Sequence, residues 1–373
     1  YPAGLMYGLQ VLDSWLYDDA LPFIHIEAGE TYKALREKAE TDYFEELIDK
    51  CMIHNTHKSI LTLSPKKGLA EEREKLLKEK LAALKESMDP AQIGEIVEET
   101  HALLEYQETP DSKEALETIP LLKREDIRKE AEPLINDIRS MGDTTVMYHD
   151  IFTNHISYLR FLFDVGQVPE DLFPYIGILK SVLGYVDTEN FTYGELFHEI
   201  NMETGGIVPV TNFFTNAKKL SECRVTFEIK AKTLEDNLPK TVDLVQEIML
   251  KSRFDDGKRL YEILAELKSR LQSNLISAGH SVAASRAMSY FSRPAAIQEQ
   301  INGMPFYRLV DHLEKNFDSC REDLQNKLEA LMKYIFRPEN LLLDYVGTQD
   351  HYEEFISLAG QVKKSLHTEP GEH

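Results

Sequence analysis

The sequence predicts an α+β fold, a two-layer, mainly antiparallel sheet with helices on one face. Three observations carry this. Residues 142–232 read strand, strand, helix, helix, strand, strand. The strands are short β-branched and aromatic runs bounded by polar turns. The segments between and after them space their apolar residues by three and four, as helices packed on a sheet do.

Residues 5–15 are expected as a helix, broken where Asp18-Asp19 precede Pro22, because proline disfavours helical geometry in the residue before it. Thr41-Asp42 cap a helix over 43–50, and the alternation in 57–63 (HKSILTL) predicts a short strand. His54 and His57, three apart, have no evident acidic or cysteine partner and are taken as polar residues of that strand's edge. A segment of this size holds too few elements for a whole domain. It is expected to expose sheet edges and an apolar face, hence to self-associate or dissolve poorly.

Residues 68–106 carry two helical stripes, one of Leu76, Leu77, Leu81, Leu84 and Met88, the other of Ile93, Ile96, Val97, Leu103 and Leu104. Asp89-Pro90 lies between them, with proline suited to the first position of the second helix. This reads as an antiparallel helical hairpin, and residues 107–131 as a polar, extended crossing. Strands follow over 143–150 and 156–164 around the turn Thr153-Asn154-His155. A helix over 172–183 precedes a second over 193–202, ended by Gly205-Gly206, where glycine relieves the left-handed strain of a helix C-terminus. Strands are expected over 208–215 and 223–231. Helices then cover 234–251 and 258–279, the latter with the stripe Leu260, Ile263, Leu264, Leu267, Leu271 and Leu275. A helix over 281–300 is broken by Pro294, and others span 306–316 and 321–334. A strand at 340–346 ends at Gly347, and a last helix spans 351–366.

The words Tyr106-Gln107-Glu108-Thr109-Pro110-Asp111, Ile119-Pro120-Leu121, Asp126-Ile127, Phe152-Thr153-Asn154, Tyr158-Leu159 and Thr204-Gly205-Gly206-Ile207 occur in this order. In combination they resemble the presequence-peptidase branch of the insulinase/pitrilysin zinc metallopeptidases, including its associated middle region. The resemblance covers nearly all of the chain, with one departure, His155, where the pattern has glycine. It implies two bowls of two homologous domains each, joined by a helical hairpin around a peptide-sized chamber. On that plan residues 1–67 end the second domain, 68–118 form the hinge hairpin, and 119–373 form a third, peptidase-like domain. The start at Tyr1, with a helix under way, is expected of a piece of a longer protein.

The inverted zinc motif H-x-x-E-H puts two histidines and a glutamate on one helical face. None of the twelve histidines begins it, and where the resemblance would place it the chain has Ile178-Leu179-Lys180-Ser181-Val182. The module is therefore expected to be non-catalytic, with zinc held elsewhere in the full-length enzyme and no catalytic or metal-ligating residue here. Glu195, His198 and Glu199 share a helix face, but H-E-x-x-H would need histidine at Met202, so paired surface charges are the favoured reading. His149-Asp150 reads as a turn feature at the sheet rim. Thr153, Asn154, Tyr193, Gly205, Gly206, Arg293 and Tyr307 are the candidates for lining a substrate chamber. Tyr290 and Arg308 could also meet peptide carbonyls or carboxylates.

At 373 residues two to three domains are expected, at about 150 residues each. The net charge of -22, from 42 basic and 64 acidic residues, opposes nucleic-acid binding. It fits either solvated helices or an acidic chamber wall that attracts cationic, unstructured peptides. G-x-G-x-x-G, Walker and G-x-S-x-G motifs are absent. No apolar run approaches the roughly 20 residues of a membrane span. The odd, scattered cysteines Cys51, Cys223 and Cys320 argue against a disulfide framework. They fit a reducing compartment, cytoplasmic in a bacterium or an organellar matrix in a eukaryote. The expected partners are the N-terminal catalytic half and a fourth domain of the same polypeptide. The alternative is a naturally non-catalytic homologue acting as a structural or peptide-binding subunit, with a free-standing hairpin assembly arm as a third reading.

Overall fold

The computed structural model describes residues 2–131 and 133–368. The chain divides into two units, Tyr1–Arg124 and Glu125–His373.

The first unit is helical. It contains α1 (Ala3–Trp15), α2 (Gly29–Ala39), α3 (Tyr43–Ile48) running into a π-helical turn (Asp49–Ile53), α4 (Leu69–Ser87), α5 (Pro90–Glu108) and α6 (Lys113–Glu117). The Asp89 carboxylate accepts from the N–H groups of Ala91 and Gln92, and the Gln92 side chain accepts from the Asp89 N–H, a reciprocal cap that starts α5 beside Pro90. None of the described residues in this unit is buried, so the α4 and α5 stripes stay about half exposed. The strand expected over 57–63 does not form. A strand is held by a neighbouring strand, and this stretch has none, leaving Ile60, Leu61 and Leu63 open to solvent. His54 pairs at its surface with Asp49, 3.2 Å away. The extended crossing is shorter than expected, because α5 runs on to Glu108 and Ser112 caps α6.

The second unit holds a six-stranded sheet. Its strands are β1 (Asp137–Met141), β2 (Thr144–Asp150), β3 (Ile156–Asp164), β4 (Ile207–Asn216), β5 (Lys219–Leu234) and β6 (Leu341–Gly347), ordered β1-β2-β6-β3-β5-β4. Every pairing is antiparallel except β2 with β6. The expected α+β class and mainly antiparallel sheet are therefore present. Helices α7 (Phe173–Val182), α8 (Tyr193–Glu203), α9 (Leu238–Lys251) and α10 (Gly257–Ser277) precede α11 (Gly279–Met288) and α12 (Arg293–Asn302). Then come α13 (Met304–Lys315), α14 (Phe317–Ile335) and α15 (Gln349–Ser365).

Strand alternation places Leu159, Phe161 and Phe163 of β3, Phe227 and Ile229 of β5, and Leu343 and Tyr345 of β6 on the helix-covered face, all fully buried. Phe336, just after α14, lies edge-on to Phe163 and Phe227 with ring centroids 5.0 and 5.8 Å away, and Phe355 of α15 stacks on Tyr345. Each such side chain contributes about 1.5–3 kcal/mol by leaving water, which is why the sheet organises this unit. α7 packs so closely that a Cβ on Gly177 would lie 2.2 Å from the Ile301 carbonyl oxygen and 2.7 Å from the Phe306 ring.

The glycine pair has a different task from the one expected. α8 is closed by Thr204, which is extended, with its hydroxyl donating to Ile200 O and accepting from the Gly206 N–H. Gly206 takes a φ of +120°, and a Cβ on Gly205 would strike the Lys232 side chain. The pair therefore serves the entry into β4 along β5, where the Gly205 N–H donates to Lys232 O at 2.8 Å.

Candidate functional site: the uncovered sheet face

The face of the sheet opposite the helices is built by the other half of the same alternation. Register places Ile138, Met147, Asp344, Arg160, Lys230 and Val208 in one row across all six strands. The neighbouring row runs Leu342, Leu162, Glu228 and Val210 across β6, β3, β5 and β4. Charged side chains thus occupy the middle of a face that no helix of this unit covers.

Two of these carboxylates are buried by their neighbours. Glu228 is 0% exposed. Its Oε1 accepts from the Thr226 hydroxyl at 2.7 Å, while Oε2 lacks a hydrogen-bond partner and sits 4.0 Å from Lys230 Nζ. Asp344 lies between Arg160 Nε, 3.4 Å from Oδ2, and His149 Nε2, 3.2 Å from Oδ1. His149 Nδ1 contacts the Ile135 carbonyl oxygen and donates its N–H there. Oδ1 has no hydrogen bond, and the His149 contact is electrostatic. Burial raises the Asp344 carboxyl above the ordinary range, the Glu228 charge adds to that, and Arg160 and His149 oppose it. His149 is thus not a turn feature, because the parallel strand β6 supplies it with a partner nearly two hundred residues away in sequence.

The candidate residues distribute over two places. Thr153 and Asn154 open β3 at the end of the sheet where Gly205 and Gly206 enter β4, and the β5 register from Lys232 to Leu234 joins the two. Asn154 and His155 both take left-handed backbone, with φ of 52° and 62°. His155 does so with a side chain where glycine was expected, and its Nδ1 lies 2.9 Å from the buried Glu235 carboxylate, which His351 approaches at 3.5 Å. The Thr153 hydroxyl is buried without a partner. Tyr193, Arg293 and Tyr307 belong to the helical layer. The Tyr193 ring lies under the Arg259 guanidinium at 4.2 Å, Arg293 is exposed at the start of α12, and the Tyr307 hydroxyl accepts from Gln272.

Glu195 is engaged in the α8 cap with Thr192, whose N–H and hydroxyl hold its carboxyl below the usual range. Glu199 pairs with Lys240 at 2.9 Å. On α7, Ile178, Leu179 and Val182 are fully buried in the core and Lys180 donates to Asn302, so this stretch offers a zinc ion no ligand set. Sequence reasoning does not single out Glu228, Asp344, Arg160 or Lys230. A signal exists, since each alternates with a core residue, but only the strand order joins them into one row.

Residues 63–313 match the family model described as peptidase M16, subfamily C, associated. Protein HypA of Clostridium perfringens is 38% identical over 355 residues, which are 95% of this chain and 36% of that protein. Presequence protease 1, chloroplastic/mitochondrial, of Arabidopsis thaliana is 27% identical over 339 residues, 89% of this chain and 31% of that one. The chain spans about a third of the length of these curated relatives. A crystal structure described as the peptidase M16 inactive domain from Pseudomonas fluorescens overlaps with a TM-score of 0.42 at 15% identity, covering 64% of this chain and 53% of that one, too slight an overlap to weigh. With the family model matching more than half of its length, the chain belongs to the associated family of the M16 peptidases, subfamily C.

Proposed function

We propose that this chain is the non-catalytic middle part of a zinc metalloendopeptidase that degrades unstructured peptides. In this reading α4 and α5 (68–118) act as the hinge and residues 119–373 form a chamber wall. Residues 1–67 complete the preceding domain. The zinc motif lies outside these residues, in an N-terminal catalytic half, and a fourth domain follows. The partners are those parts of the polypeptide and the peptide itself, with no nucleic acid or membrane involved. The compartment is a reducing one, cytoplasmic or an organellar matrix, in keeping with three unpaired thiols.

The observation that carries the reading is the uncovered sheet face. Natural sheets put weakly interacting polar residues on a face that only meets water. Here that face holds Glu228 and Asp344, buried and with one oxygen each lacking a hydrogen bond. Such groups cost stability and are kept where they serve a ligand. The chain's net charge of -22, rather than this face, would draw a cationic, extended peptide toward the wall. The family assignment and the relatives named as presequence proteases support the peptide as the ligand.

Mass spectrometry of an unstructured basic peptide incubated with this chain and zinc tests the non-catalytic part. The peptide should remain intact. Chelator-sensitive cleavage would overturn the assignment.

A further inference from the structure

β4 is the last strand of the sheet, so among the described residues its outer side has no neighbouring strand. The Lys232 N–H donates to Gly206 O at 3.3 Å. Alternation from that bonded pair makes Val208 and Val210 bonded to β5 and turns the backbone of Ile207, Pro209 and Thr211 outward. Proline has no N–H, so this edge offers donors at Ile207 and Thr211 and acceptors at all three.

A groove of about 270 Å³ runs beside the start of that edge. It is lined by Ile207 and Pro209 of β4, Glu266 and Arg270 of α10, and Lys180 of α7. Lys180 Nζ donates to Asn302 at 2.7 Å. Among the described residues neither Lys180 nor Arg270 has a carboxylate partner, and Glu266 pairs with neither. Burial and the like charge of Arg270 hold the Lys180 ammonium below its ordinary pKa. Arg259, in the same groove, is already engaged by Tyr185 O at 2.9 Å, Glu262 at 3.4 Å and the Tyr193 ring. Lys180, half-buried, faces this cavity with no carboxylate partner, and Arg270 faces it without pairing to the nearby Glu266, which leaves a place for a ligand's negative charge between the two cations.

We propose that this groove binds an extended peptide antiparallel to β4, with its C-terminal carboxylate between Lys180 and Arg270. The direction follows from strand polarity. β4 enters the sheet at Ile207, beside the cations, so an antiparallel neighbour ends there, whereas a parallel one would bring its ammonium terminus to them. This deepens the peptide-binding reading above and rests on it. The carboxylate gains charge-assisted bonds from both side chains while Ile207 and Thr211 supply the backbone ladder.

Fluorescence anisotropy on the full chain tests it, with one labelled unstructured peptide ending either in a free carboxylate or in an amide. The acid form should bind about tenfold tighter, the difference expected of one lost charge-assisted bond. Arg270→Gln, on an exposed side chain, should narrow that difference, since only the Lys180 contact remains. Thr211→Pro removes an outward donor without touching the bonds to β5 and should weaken both forms. Equal binding of acid and amide, a preference that Arg270→Gln leaves unchanged, or a Thr211→Pro variant that binds as before would overturn the groove while leaving a peptide-binding wall in place. No binding of either peptide would overturn both.

Discussion

Asp344 sits between Arg160 and His149, yet burial outweighs the effect of both and its carboxyl titrates above the usual range. Because the folded pKa is the raised one, its contribution to stability is fully present below the unfolded value of 3.8 and is lost as pH rises through the folded value. At neutral pH the ionised Asp344 therefore opposes folding. Asp344→Asn should unfold at higher temperature than the parent at pH 7, with the gap closing as the solution is acidified below about pH 4. Calorimetry across that window checks it, and a variant less stable at pH 7 would mean that Arg160 and His149 dominate. His155 is a second residue whose interest is visible in the sequence. Its departure from glycine marks the place where the backbone does take φ of +62°, a conformation costing about 1 kcal/mol or more with a side chain. The Glu235 contact that accompanies it is not legible from sequence, because β5 brings that carboxylate from eighty residues away.

Among elements, those with a strong period are legible. The apolar spacing of α7 and α10 and the β-branched and aromatic runs of β2 and β3 are enough to name those elements. What fails is pairing. Residues 57–63 alternate and β6, LLLDYVG, does not, but β6 is flanked by β2 and β3, whereas 57–63 meets no strand among the described residues. β1 escapes notice for the opposite reason, since DIRSM is short and polar and becomes a strand only because β2 pairs with it. α2 gives no signal because GETYKALREKA has few apolar residues to set a period. Gly177 shows where packing decides. A helix interior tolerates alanine better than glycine, yet here the added carbon meets the Ile301 carbonyl and the Phe306 ring. Gly177→Ala should cost about 1–3 kcal/mol, measured by urea unfolding, as α7 is pushed off α12 and α13. A stabilised variant would show that the three helices can part freely.

At the scale of the molecule, all the buried residues among those described lie in the second unit, while the first leaves its apolar stripes half exposed. The sheet of the second unit has a packed face and a face with charges at its centre, and the peptide-wall reading depends on the latter. The candidate surface is only half visible in the sequence. Thr153, Asn154, Gly205 and Gly206 mark one end of it, but the charged row follows from placing β6 between β2 and β3, which no local pattern announces. Hydrogen-exchange mass spectrometry of the chain, with and without a saturating unstructured basic peptide in the presence of zinc, tests this most directly. Exchange should slow in β4 and in the 153–156 turn, and the peptide should be recovered whole. Slowing confined to α13–α15, or recovery of peptide fragments, would contradict it.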